Sequence, residues 1–135
     1  MLRQAGTTAQ IHVRKMRVLI VESDPNLGWL WKRHLERFGA EVSLSNGQTE
    51  AVAHLSRMAY EVIVLDLVLT EGSAFAVADY ASYRHPDAKV VFVTNTSFFS
   101  DGSIFALIPN ACAFLPSRTP PDDLAAVVEH YGNHA

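Results

Sequence analysis

The sequence predicts a doubly wound α/β domain: a five-stranded parallel β-sheet with helices on both faces, in three layers. Three observations carry this. Short runs at residues 18–21, 42–44, 62–65, 90–93 and 111–115 are mostly apolar on consecutive residues, with Ser43 the polar exception, as suits strands covered on both faces. Longer segments of helical period separate most of these runs. The two kinds of segment alternate along the chain, which is the pattern of parallel strands joined by crossover helices.

Each element follows from local chemistry. Residues 25–38 place Leu27, Leu30, Trp31, Leu35 and Phe38 on one predicted stripe, with Pro25 after Asp24 as the first turn and Gly39 as the stop. Residues 47–58 repeat the period through Ala51, Val52, Leu55 and Met58. Residues 73–84 do so through Ala74, Val77, Ala78 and Ala81, and end before His85-Pro86, because the position before a proline disfavours helix. Residues 100–108 predict a short helix before the fifth strand. The last helix spans 120–131 on Leu124, Val127, Val128 and Tyr131, with Thr119 and Asp122 flanking two prolines and acids in the first turn favouring its dipole.

Composition bounds the function. The chain has 135 residues, 49% of them hydrophobic, which suits one domain with a core of its own. Residues 16–131 are expected to form that domain, with residues 1–15 a polar arm and 132–135 a short tail. The abrupt change to MRVLIVE makes Met16 a candidate start beside Met1. Cys112 is the single cysteine, so neither a disulfide framework nor a cysteine-ligated zinc site can form within the chain, and a reducing, cytoplasmic setting is expected. A net charge of −3 provides no basic field for nucleic acid. No apolar stretch approaches the roughly 20 residues that span a bilayer.

In a doubly wound sheet the functional crevice lies at the carboxyl ends of the strands. The first strand ends in Glu22-Ser23-Asp24, the third in Asp66, the fourth in Thr94, and the fifth in Pro116-Ser117-Arg118. Carboxylates gathered at one edge repel one another, and a hard divalent cation such as Mg²⁺ relieves that repulsion with oxygen ligands. The turn after the first strand has no glycine-rich phosphate cradle, which disfavours a nucleotide site. Absence of a nucleophile–base pair disfavours a small α/β enzyme.

The blocks VLIVESDP, VIVLDL, VVFVTNT and ACAFLPSRTP, in this order and each at a strand end, resemble the receiver domain of two-component response regulators, the CheY-like members of the flavodoxin-like folds. The likeness covers residues 16–131. It implies that Asp66 accepts a phosphoryl group from a histidine kinase or phosphotransfer protein, that Thr94 contacts that group, and that Phe114 is an aromatic switch. It also implies a Mg²⁺ site, for which Glu22, Asp24 and Asp66 are the candidates here. Two positions depart from the family: Ser23 stands where it has a second acid, and Ser117 where it has a lysine. The loop LVLTEGS also departs, with Thr70 in place of the usual proline. The resemblance thus implies a single-domain phosphorelay receiver signalling by protein contacts, not an enzyme beyond chemistry on Asp66 itself. The departures carry the alternative of a phosphorylation-independent receiver acting as a dimerising adaptor.

Two apolar features suggest partners. Trp29 falls about 180° from the centre of the first helix's predicted stripe, among Lys32, Arg33 and Glu36, where the family docks its phosphodonor; packing on the N-terminal arm is the other reading. Phe98, Phe99, Ile104, Phe105 and Ile108 are too many apolar groups for one short helix to hide, and predict a homodimer or output surface. Phe114 reads equally as core, and Cys112 as buried and inert. The six histidines show no ligand spacing.

Overall fold

The structure is a computed structural model and describes residues 15–95 and 108–133. These residues form β1 (Arg17–Val21), α1 (Pro25–Arg37), β2 (Glu41–Ser45), α2 (Gln48–Arg57), β3 (Val62–Asp66), α3 (Ala74–Arg84), β4 (Lys89–Thr94), β5 (Ala111–Pro116) and α4 (Pro121–Asn133). All strand pairs are parallel, in the order β2-β1-β3-β4-β5. That order reverses beside β1, so a crevice is expected at the carboxyl ends of β1 and β3. The helix predicted at 100–108 lies outside the described residues except for Ile108.

Strand parity divides the core in two. Val18, Ile20, Val62, Val64, Val91 and Val93 face α1 and α4, where they pack with Trp31, Leu35, Leu124, Ala125 and Val128. Leu19, Val21, Ile63, Leu65, Val90 and Phe92 face α2 and α3, against Ala51, Leu55, Val77, Ala78 and Ala81. Both faces of the sheet are therefore dry, which explains why the central strands read as continuous apolar runs. Small alanines of α3 line one side of the sheet, while Trp31 supplies bulk on the opposite side.

The first helix is capped by Asp24, whose carboxylate accepts from the amides of Asn26 and Leu27. Gly39, at φ 89°, turns the chain out of the helix in the left-handed region. The face α1 turns to the core is narrower than the predicted stripe: Gly28, Trp31 and Leu35 are buried, whereas Leu30 and Phe38 are 38% and 46% exposed. Gly28 lies on the buried side by the sheet's edge, where a β-carbon would make ordinary contact with Leu44 and Glu22. Trp29 is 54% exposed, with the Lys32 ammonium 4.8 Å from its ring centroid.

Ile108 corrects the predicted association surface. It is 7% exposed and joins the core beside Phe92 and Val90, ahead of β5, so it is a packing residue and not part of an open apolar face. Phe98, Phe99, Ile104 and Phe105 lie outside the described residues. Among the described residues no helix is long and apolar enough to cross a membrane.

Candidate functional site

The site is built from the carboxyl ends of β1 and β3. The Glu22 amide donates to Ser45 O at 3.0 Å, extending the β1–β2 ladder by one residue and fixing the backbone from which its side chain projects. Glu22 continues the parity of Val18 and Ile20, and Asp66 that of Val62 and Val64, so both belong to the sheet face covered by α1 and α4. The Glu22 carboxyl is buried, at 6% exposure. Its Oε2 accepts from the Asp24 amide at 3.0 Å, while Oε1 has no hydrogen-bond partner.

Burial, then the adjoining Asp66 carboxyl, push the Glu22 pKa from 4.5 up to about 8; the negative charges of Asp66 and Asp24 add to the effect and the Asp24 amide opposes it. Two carboxyls side by side under low-dielectric cover cannot both ionise without a proton or a cation between them. Asp66 itself is half-buried, and its Oδ1 accepts from the Val68 amide at 2.9 Å. That bond holds one carboxylate oxygen to the loop that follows it.

Asp24 also caps α1. Its Oδ1 is engaged by the first-turn amides of α1, at 3.0 Å from Asn26 N and 3.5 Å from Leu27 N. Among the described residues no group of three His, Cys, Asp or Glu side chains is placed to hold a metal ion. The structure thus brings Glu22 and Asp66 together and engages Asp24 Oδ1 in capping α1.

Thr94 closes β4 and is buried; Val93 before it is the register partner of Asp66. Its carbonyl accepts from the Ser117 amide at 2.9 Å, which ties the position where a lysine was expected to the end of β4. Phe92 and Phe114 are register partners, and their rings stack at 5.1 Å with 15° between planes. Phe75 of α3 lies 6.5 Å from Phe92, completing an aromatic column from α3 across the sheet. Thr94 shares the strand parity of Phe92, so it sits at the carboxyl-end limit of the face that carries this column.

The sequence offered no sign of what Ser23 does. Its hydroxyl donates to Asn46 O at 3.1 Å and accepts from Thr70 N at 2.9 Å, joining three loops at the rim of the acidic pair. Further along the same loop, Glu71 accepts from Thr49 N and Thr49 Oγ1, both at 3.0 Å, and Gln48 N donates to Glu71 O. These bonds cap α2 from a distant loop, because Gly47 at its N-cap has no side chain to do so. A sequence reader could have suspected the arrangement only from an uncapped helix start.

No family model matches the chain. It is 29% identical over 115 residues to the response regulator protein PilR of Pseudomonas aeruginosa, a match covering 85% of this chain and 25% of that protein. The chain therefore spans about a quarter of that relative's length. Its fold superposes on a CheY-like response regulator receiver domain from Methanospirillum hungatei with a TM-score of 0.81 and 23% identity, over 90% of this chain and 96% of the other. A response regulator from Burkholderia pseudomallei, with a phosphorylated aspartic acid and a calcium ion, matches with a TM-score of 0.76 and 19% identity, over 89% and 70%. By its strand order, its acidic pair at the switch point and these likenesses, the chain has the CheY-like fold of response regulator receiver domains and resembles one such regulator in sequence.

Proposed function

We propose that this receiver takes a phosphoryl group on Asp66 within a two-component phosphorelay and passes the signal on through protein contacts. The observation that carries the reading is the buried Glu22 carboxyl, with Oε1 unpartnered, set against Asp66 at the switch point of the sheet. In the transfer an Asp66 carboxylate oxygen bonds to phosphorus. The P–N bond of a phosphohistidine, or the P–O bond of a small acyl phosphate, breaks, and its electron pair leaves with the donor.

The donor set suits a hard cation: both carboxylates offer oxygen, one buried oxygen lacks a partner, and Mg²⁺ is commonly held by one or two carboxylates with the rest of its shell water. Glu22 and Asp66 would hold it. When bound, such an ion supplies charge neutralisation for the pair and for the phosphoryl oxygens. The chain's own groups do the positioning. Val68 N orients the acceptor carboxylate, and Thr94, at the end of the adjacent strand, is the hydroxyl proposed to meet the phosphoryl group. Its movement would be felt along the shared face by the Phe92–Phe114 stack, a two-state element that phosphorylation biases. Trp29, exposed on α1, is the proposed contact for the kinase or phosphotransfer protein.

A second reading, a receiver that works without phosphate, is favoured by Ser117, which brings no cation to the place where the family has lysine. Incubation with Mg²⁺ and a small acyl phosphate, followed by intact mass, separates the two. The acceptor reading expects the mass of one phosphoryl group on the wild type and none on Asp66→Asn. No gain with any donor, the cognate kinase included, would leave the adaptor reading standing.

A further inference from the structure

Two departures from the receiver pattern meet in space. Ser23, in the place of a second acid, and Thr70, in the place of a proline, are 47 residues apart and joined by a 2.9 Å hydrogen bond in which Thr70 N donates to Ser23 Oγ. A proline at position 70 would have no N–H to give. The same hydroxyl donates to Asn46 O, a bond that a carboxylate at position 23, having no proton, could not make. Each substitution therefore requires the other for the bridge to exist.

We infer that Ser23 and Thr70 form one lock that positions the phosphoryl acceptor. The inference rests on the reading of Asp66 as that acceptor. The loop between Asp66 and α3 carries the Val68 amide, which holds Asp66 Oδ1 at 2.9 Å. Two residues further on, Thr70 is pinned to Ser23, and through it to the β2–α2 loop. Beyond Thr70 the loop is fastened again, by Glu71 on Thr49 and by Ser73 N on Gln48 Oε1 at 2.9 Å. Close approach is enforced as well: a β-carbon on Gly47 would stand 2.9 Å from Glu71 O, and one on Gly72 2.3 Å from Gln48 Cβ. Clamped at Ser23 and at α2, the loop has little freedom to withdraw the Val68 amide. One oxygen of Asp66 is thereby kept tied and the carboxylate's orientation fixed before a donor arrives. Neither Ser23 nor Thr70 needs to touch the donor; both act through Val68 and Asp66 as positioning residues.

A double-mutant cycle on the full chain tests this, with Ser23→Ala, Thr70→Pro, the pair together, and Ser23→Thr as the conservative control. Two measurements are read: the maximal rate and half-saturating donor concentration of phosphoryl uptake from a small acyl phosphate at saturating Mg²⁺, and hydrogen exchange at the Thr70 and Val68 amides. Loss of one hydrogen bond is expected to slow maximal uptake by roughly 5-fold in either single variant, with the half-saturating concentration unchanged. The double variant is expected to be no slower than the singles, and Ser23→Thr to keep the wild-type rate. Exchange at both Thr70 and Val68 should quicken by a similar factor in Ser23→Ala. Single effects that multiply in the double variant would overturn the lock, and so would wild-type uptake by Ser23→Ala. A wild-type chain that takes no phosphate would overturn the acceptor reading instead. In that event the exchange data still decide the lock: equal protection in wild type and Ser23→Ala refutes it, and loss at both amides supports it.

Discussion

Raising the pH in magnesium-free buffer should weaken this fold in a way that traces to one side chain. Glu22 titrates at 4.5 when unfolded and at about 8 in the folded chain. Between those values the folded state holds a proton that the unfolded state has released, so stability falls as pH rises; it is fully present below pH 4.5 and spent above about 8. At about 1.4 kcal/mol per pH unit the ceiling is ~5 kcal/mol. Relaxation of the site and water reaching it discount that ceiling to an expected loss of ~2 kcal/mol, or roughly 8 °C in Tm for a domain of this size. The assay is denaturant unfolding followed by the fluorescence of buried Trp31 at half-unit steps from pH 5 to 9, with chelator, on wild type and Glu22→Gln. Glutamine keeps the shape of the protonated side chain without its titration, so subtracting the two profiles removes the histidines and all other groups. The difference should slope through the window, and millimolar Mg²⁺ should restore the wild type at the alkaline end by binding the ionised pair. A difference that is flat from pH 5 to 9 would refute the coupling of Glu22 to Asp66 and the metal reading built on it.

Two further outcomes follow from the loops around the pair. Gly72→Ala should destabilise by roughly 1–3 kcal/mol, since position 72 has φ 82° and the added carbon would stand 2.3 Å from Gln48 Cβ; denaturant melts check it, and a neutral result would mean that the loop is not seated on α2 as described. Asp24→Ala should cost about 1 kcal/mol through loss of the α1 cap while leaving Mg²⁺ affinity within about 2-fold, followed by tryptophan fluorescence; a 10-fold fall in affinity would instead place Asp24 among the ligands.

The strands were legible because burial on both faces leaves no polar position to obscure them: residues 62–65 are all fully buried, and they read as a strand at sight. Helix faces were less so. Leu30 has the right spacing for the α1 stripe, yet the arc a helix buries is set by how it lies on the sheet, and here that arc runs through Gly28, which has no side-chain hydropathy to register. Ile108 read as surplus apolar surface because the core cluster it joins is built from residues of other elements, distant in the sequence. At the site, Glu22 and Asp66 could be found from strand ends alone. For Asp24 the sequence suits either capping or coordination, and the structure shows the capping bonds. Ser23 was legible only as something missing. Its hydrogen-bond partners are 23 and 47 residues away, and no local pattern encodes a bond that exists only after the sheet has formed.

The two serines also bear on each other electrostatically. Ser23 removes one negative charge relative to the receiver pattern and Ser117 removes one positive charge, so the site keeps the same formal balance with fewer ions in it. Isolated loss of the lysine would leave three acids with one less counter-charge under partial cover, and isolated loss of the acid would leave a cation with less to pair against. Losing both avoids either imbalance. What remains is a carboxyl pair whose repulsion is met by a proton on Glu22 at neutral pH, or by a divalent cation, and a rim held by hydrogen bonds from a hydroxyl instead of by charge. Hydroxyl bridges are directional and little affected by salt, whereas an ion-held rim weakens as ionic strength rises. The departures at positions 23, 70 and 117 are therefore consistent with one another as a single rearrangement, in which geometry set by the proposed loop lock would take over part of the role that charge has in the receiver pattern.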